Sequence, residues 1–502
     1  MFRRIADVGV FALLSLVMGC ISTPNQPLNQ RALAPPIVFA NNPSPHPPQN
    51  RPGVNGLDSR TGADLATDPD VARDGILIGL TFSGGGSRAA AYGLGVAKEI
   101  EATQVRVAGK TASLFGYVDM LSGVSGGSIA AAYLGLKGRA GLDDFRERFL
   151  LRDAEESLNV DLGLNTLGAA LSGGVNDQTR LPRWLDDNLF HGATMADMER
   201  VRPGHVYIYA SDLYNRHPFV FSRASFEAIC SDYGSYPLSH AVAASAAVPF
   251  VFSPIVLQSF PESCHAALPA WVDRAVNNRE ENEMLRSAAR GYHRNRDPSQ
   301  VQYVKLADGG LSDNFGVTGF VIERSRERTP YAPLNPQQAV KLSRALFLVA
   351  NAGVAPNAAW ARTIEGPVGI DMVNAISDTA IRANVRANFE AFRQSFRLWR
   401  EDLIRWRCSL PTTRVQQLRG GLIGWNCRDV QFFIAELAFD QLGPDRLNVL
   451  SAVPTRFKLP QDQVDMLIAA GRDVVRGNET FQRFLASLSK GSMTSSSAAA
   501  LR

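Results

Sequence analysis

LFGYVDMLSGVSGGSIAAAYLGL, residues 114–136, is an apolar run that reaches a glycine-framed serine and continues in small and apolar residues. The first half reads as a buried strand and the alanine-rich second half as a helix, so the serine falls at the turn between them. The same arrangement occurs upstream. GILIGLTFS (75–83) is a strand candidate, followed by a glycine-rich turn and a small-residue helix through Thr103. Downstream, HVYIYASDLYNRHPFVFS (205–222) has the look of a hairpin, and VQYVKLA (301–307) and RALFLVANAG (344–353) are further strands. Roughly 140–200 and 357–407 read as helical, the second stretch with aromatic residues and arginines interleaved. Strands alternating with helices predict an α/β layered fold with a mostly parallel central sheet flanked by helices. No internal repeat is visible.

The chemistry concentrates at Gly123-Val124-Ser125-Gly126-Gly127, a G-x-S-x-G between strand and helix. A sharp turn there forces strained angles on the serine, and Gly123 and Gly127, two residues to either side, must be small to avoid collision. The turn lifts the hydroxyl clear of the sheet and sets it at a helix N-terminus, where unpaired amides favour developing negative charge. The second glycine-rich turn, Ser83-Gly84-Gly85-Gly86-Ser87-Arg88, can bring backbone N–H groups to a tetrahedral oxyanion, with Arg88 adding charge or tying the loop down. Gly84, Gly86 and Ala89 also fit G-x-G-x-x-A, the dinucleotide fingerprint. That reading needs an acid about 20 residues on, ending a second strand, whereas the segment there is VRVAGK.

A nucleophilic serine needs a base. The seven histidines, at 46, 191, 205, 217, 240, 265 and 293, form no arrangement that marks one, and His240 opens a helix pattern as a surface or packed histidine would. Asp308 stands at the end of a strand in YVKLADGGLSDNFG, where it can face the Ser125 elbow, and Asp313 is a lesser candidate. A lone carboxylate is a weak base at its ordinary pKa of about 3.9. Burial would raise it, and a direct Ser–Asp hydrogen bond would replace a histidine relay. Asp-Gly-Gly is also a frequent turn, so a purely structural Asp308 stays open.

Four blocks, in order, resemble the patatin-like phospholipases: GGGSRA for the oxyanion loop, GVSGG for the nucleophile, AASAAVPFVF with Ser245 and Pro249, and DGG at Asp308. The hairpin within 205–222 fits the strand pair which that family places between the second and third blocks. The resemblance covers about residues 75–350. It implies a Ser125–Asp308 dyad that hydrolyses lipid acyl esters without histidine, metal or cofactor, with Gly84, Gly85, Gly86 and Arg88 shaping the oxyanion site. Ala89 departs from the glycine common in the family. A patatin-like core over 71–350, a mainly helical part over 351–488 packed on it and a disordered tail over 489–502 are the expected organisation. A binding lipoprotein that kept the fold without catalysis is the alternative, disfavoured because every motif residue is present.

The N-terminus carries a separate signal. Arg3 and Arg4 precede an apolar run from Val8 to Met18, too short to span a bilayer core of roughly 20 residues and of signal-peptide length. Val17-Met18-Gly19-Cys20 resembles the lipobox of bacterial lipoproteins, which implies a signal peptide over 1–19 and a lipid on Cys20. With Ile21 after the cysteine, the resemblance implies the outer membrane. Residues 20–70, rich in Pro and Asn, read as an extended tether. The remaining Cys230, Cys264, Cys408 and Cys427 are even in number, as disulfides in an oxidising compartment would be. Of three connectivities the sequence-near pairs are expected. No CxxC or His-rich cluster suggests a metal. The formal charge of +4 is small for 502 residues and no basic tract is present, which argues against nucleic acid as a partner.

Overall fold

The computed structural model describes residues 26–32 and 71–499, apart from 108, 157, 159–175, 202–204, 250, 265, 266, 357 and 358. The expected signal peptide, Cys20, His46 and His265 lie outside the described residues.

Among the described residues ten strands form: β1 (Ile76–Phe82), β2 (Gln104–Val107), β3 (Lys110–Ser113), β4 (Val118–Val124), β5 (Val206–Asp212), β6 (His217–Val220), β7 (Ile255–Gln258), β8 (Tyr303–Asp308), β9 (Arg344–Asn351) and β10 (Gln431–Ala438). The central sheet runs β10-β9-β1-β4-β5-β8-β7, with β6 paired to β5. From β10 to β5 every pairing is parallel; β6, β7 and β8 are antiparallel to their neighbours. β1, β4 and β5 are buried along their whole length, which explains their nearly unbroken apolar sequences: helices cover both faces.

Successive side chains of β1 divide between those two faces. Ile76, Ile78, Leu80 and Phe82 pack with helices α1 (Gly86–Ala102), α2 (Gly126–Lys137) and α3 (Leu238–Ser245). Leu77 joins the opposite core with Phe320, Phe347 and the aromatic ladder Phe392, Phe396 and Trp399 of α4 (Ile370–Ser409). Three aromatics of the 357–407 stretch, Phe392, Phe396 and Trp399, are thus buried packing residues, whereas Trp360 is exposed. Among the helices that follow are α5 (Gln461–Gly477), packed against α1, and α6 (Glu479–Ala499).

Three boundaries differ from the sequence expectation. The 351–488 part is not only a helical addition, because it supplies β10, which pairs with β9 from Gln431–Arg344 to Ala438–Asn351 and extends the sheet. The expected tail is helical as far as Ala499, in keeping with the helix propensity of its alanines. Part of the expected tether, 26–32, is seated on the body. The Asn29 side chain is 6% exposed. It bonds the Ser231 hydroxyl and both backbone groups of Gln258. A Pro/Asn-rich composition marks a segment that cannot build its own core, but it does not prevent the segment from joining one already formed. The cysteines pair as Cys230–Cys264 and Cys408–Cys427.

Candidate active site

β4 ends at Val124 and α2 starts at Gly126, leaving Ser125 between them at φ 52° and ψ −127°, a backbone region that costs a non-glycine residue roughly 1–3 kcal/mol. The strain is held by close packing of glycines. A Cβ on Gly123 would come within 2.5 Å of the Gly127 carbonyl, and one on Gly127 within 2.4 Å of the Phe82 carbonyl. On Gly126 it would lie 2.0 Å from the Gly86 carbonyl, so the elbow and the first glycine-rich turn touch backbone to backbone. Ser128 closes the turn by donating from both its amide and its hydroxyl to the Ser125 carbonyl.

Asp308 arrives differently from the expectation. Its strand runs antiparallel to β5, entering from beyond the carboxyl edge and overlapping only the last residues, with Asp308 opposite Ala210. That short overlap brings it to the level of Tyr209, the partner of Val124. There the Ser125 hydroxyl lies near enough to favour its ionised form, and the Gly310 amide donates to Oδ1 at 2.8 Å. Burial pushes the carboxyl up to about 6 against the opposing pull of those two groups. The second glycine of DGG is needed for space: a Cβ on Gly310 would sit 3.0 Å from Asp308 Oδ1 and 2.7 Å from Asn314 Oδ1.

The end of α3 ties the two residues together. The Ser125 amide donates to the Ser245 hydroxyl at 2.8 Å, while the Gly309 amide donates to the Ser245 carbonyl and the Asp308 amide to the Ala247 carbonyl. Sequence reading placed Ser245 in a motif without a role; its hydroxyl and carbonyl hold the backbone on both sides of the pair. Pro249 follows just beyond this bend.

The glycine-rich turn before α1 divides its work. Gly84 donates to the Asn314 carbonyl, so its amide is not available to an oxyanion as expected. What Gly84 supplies is room, since a Cβ there would be 2.4 Å from Asn314 Oδ1 and 3.4 Å from Ser125 Cβ. Among the described residues no acceptor is paired with the amides of Gly85 (φ 139°) and Gly86 (φ 60°), which stand at the N-terminus of α1 beside the elbow. Arg88 is buried and points away from that role, donating to the carbonyls of Ala352 at 3.1 Å and Val453 at 2.7 Å. Burial lowers its guanidinium to about 10, with Arg382 acting in the same direction. Together with the Ser87 amide on the Arg456 carbonyl, it fastens the turn to the 453–456 segment. That contact had no sequence signal, since its two sides are more than 360 residues apart. Asn314, six positions after Asp308, carries no motif that would have singled it out.

The other candidates have other roles. Asp313 accepts from the amides of Phe315, Gly316, Val317 and Thr318, which makes it the anchor of the following turn. His217 bonds the Pro218 carbonyl and His293 pairs with Asp273. His240 is pressed against Tyr236, and burial lowers its imidazole to about 4. Replacing His240 by alanine should therefore leave ester turnover within about an order of magnitude of wild type, the change expected when no proton is relayed through it. A thousandfold loss in a variant that melts normally would reinstate a histidine base. Among the described residues no cluster of three or more His, Cys, Asp or Glu is placed to hold a metal, and no helix is long and apolar enough to cross a membrane.

The mixed, mostly parallel sheet flanked by helices has the patatin-like α/β form, and residues 80–321 match the family model described as patatin-like phospholipase. No curated protein sequence matches the chain. Among solved structures, human GIVD cytosolic phospholipase A2 aligns at 9% identity with a TM-score of 0.39, over 84% of this chain and 63% of that one. The chain thus spans less than two thirds of the length of that protein.

Proposed function

We propose that the chain is a lipid acyl hydrolase of the phospholipase A or lysophospholipase type, working through a Ser125–Asp308 dyad and an acyl-enzyme. The observation that carries this reading is the strained Ser125 at the head of a helix, held by the same Ser245 bend that holds the backbone of the buried Asp308 carboxyl beside it. In the proposed reaction Ser125 Oγ attacks the ester carbonyl as its proton passes to Asp308. The carbonyl oxygen becomes an oxyanion facing the Gly85 and Gly86 amides and the positive end of α1. Asp308 then returns the proton to the leaving alcohol. A water molecule, deprotonated by the same carboxylate, clears the acyl group and frees Ser125. The lipobox-like Cys20 supports an exported, lipid-anchored protein at a bacterial outer membrane, where membrane lipid would be concentrated around the site.

The proposal fixes a pH dependence. Asp308 must be ionised to accept a proton, and its carboxyl is pushed up to about 6. The free-enzyme kcat/KM should fall about tenfold per pH unit below that value and level off above it. Turnover of a soluble ester from pH 4.5 to 8.5 measures this; a rate that is flat to pH 4.5 would mean the base is not Asp308. Covalent capture of Ser125 by a fluorophosphonate, read by peptide mass, tests the nucleophile. Absence of labelling and of turnover in folded protein would leave a binding role for the fold.

A further inference from the structure

We propose that residues 26–32 form a strap that holds the edge of the body leading to Ser125 and Asp308 against the membrane carrying the Cys20 lipid; this rests on the lipid-anchored hydrolase reading above. The strap is built into the body. Besides the Asn29 bonds, the Gln30 carbonyl accepts from the Asp232 amide and the Ser231 hydroxyl, and the Ala32 amide donates to the Cys230 carbonyl. The Arg31 guanidinium lies over the Phe260 ring, and the Gln26 carbonyl accepts from the Gln178 side chain at 2.8 Å. Asn29 is the decisive residue. An amide buried at 6% exposure with its carbonyl and amino groups both satisfied is costly to pull out, because Gln258 would lose both partners.

The length of chain beyond the strap sets the geometry. From Cys20 to Gln26 there are six peptide steps, and six residues reach at most about 20 Å when fully extended. Were residue 71 the first point of attachment, a flexible chain of that separation would have an end-to-end distance of about 40 Å with a broad spread. The strap turns a loose leash into a short one.

It also selects which face lies near the membrane. Gln26 is fixed to Gln178, and Asn176, two residues earlier, exchanges backbone hydrogen bonds with Val251 and Ser253. From there the chain leads back through the Phe252–Val248 turn to Ala247, whose carbonyl holds the Asp308 amide. The short leash therefore leaves the body on the edge that leads to the catalytic pair. Two apolar side chains are exposed along this edge, Leu28 at 49% and Val248 at 38%. Ile423, exposed at 78%, lines instead the same surface cleft as Gly75, which precedes the amino end of β1.

The test is hydroxyl-radical footprinting of the full lipidated chain on phosphatidylethanolamine–phosphatidylglycerol vesicles. Wild type is compared with a variant carrying a flexible insertion of about 30 residues between Thr23 and Pro24, and with Asn29→Ala. Leu28 and Val248 should oxidise about threefold or more slowly in wild type than in the insertion variant. Val248 should be similarly released by Asn29→Ala, and Ile423 should react equally in all three. The insertion precedes every described residue, and the expected melting temperature equals that of wild type. Equal oxidation of Val248 in wild type and insertion variant, protection of Ile423 instead, or absence of a lipid mass on the Cys20 peptide would each overturn the strap. Turnover of a soluble ester is measured in parallel. Protection of Val248 without any turnover would support the strap while refuting the hydrolase.

Discussion

Ser125→Ala is expected to lower hydrolysis of both a soluble short-chain ester and dispersed phospholipid by about 10,000-fold or more, and Asp308→Asn by about 1,000-fold or more. Alanine removes the attacking atom, so only the oxyanion donors and substrate binding would remain. Asparagine keeps the shape at 308 and can still accept a hydrogen bond from Ser125, but it cannot take the proton. The two losses should not add, since nucleophile and base act as one unit. Stability distinguishes this from misfolding. Between the ordinary carboxyl value of 3.8 and about 6, folded Asp308 holds a proton that the unfolded chain has released. Stability therefore falls as pH rises through that window. At pH 7 the buried carboxylate costs on the order of 3 kcal/mol relative to an unperturbed one. Asparagine carries no such cost, so Asp308→Asn should melt no lower than wild type at pH 7 while being inactive. Thermal melts beside turnover on both substrates measure this. Retention of a tenth of the wild-type rate by a cleanly folded Asp308→Asn protein would remove the aspartate from the reaction.

The elements nearest the pair were the most legible. Residues 114–136 and 75–103 each hold strand, glycine turn and helix within thirty residues, and local backbone geometry dictates all three. Ser125 could be read because its neighbours must be glycine for the turn to close. Asp308 was legible by type and position, although the reason was partly different. Its strand is antiparallel, and it reaches the site by ending early rather than by pointing the same way as β4. The supporting contacts were not legible. Arg88 is placed by the carbonyls of Ala352 and Val453, and a carbonyl is the same group on every residue. β10 carries a usable apolar pattern, but its place at the sheet edge depends on pairing with β9 across eighty residues. The seating of 26–32 was not legible for a related reason: composition reports whether a segment can fold alone, not whether Asn29 and its neighbours find partners on a body already formed.

Substituting Gly95 should be the most damaging change away from the pair. Helix α1 carries the glycine-rich turn at its start, and α5 crosses it so closely that two glycines mark the contact. A Cβ on Gly95 would sit 2.1 Å from the Ile468 carbonyl oxygen, and one on Gly471 would sit 2.2 Å from the Tyr92 carbonyl oxygen. Both obstacles are backbone, so no rotamer change relieves them, and the helices must separate. Around them Glu99 receives Arg472 and Arg476 across the same interface, with N–O distances between 2.7 and 3.1 Å, and these pairs would be stretched. Gly95→Val should cost about 3 kcal/mol or more, at the upper end for overpacking because main chain has to move. Gly95→Ala should cost less but remain destabilising, since a methyl group alone meets the carbonyl. Gly477, on the last turn of α5 with nothing within 4 Å, is the control. There, alanine should be neutral or stabilising by up to about 1 kcal/mol through helix propensity. The damage should also reach the chemistry. The 453–456 segment leads directly into α5 and holds both Ser87 and Arg88, so displacing the helix loosens the turn that presents the Gly85 and Gly86 amides. Folded Gly95→Ala protein should accordingly show a reduced kcat with little change in KM, the pattern of an interaction made in the transition state. Denaturant melts of the three variants, with steady-state kinetics on whatever remains folded, decide the matter. Equal stability of Gly95→Val and Gly477→Ala would mean the helices do not cross at these glycines.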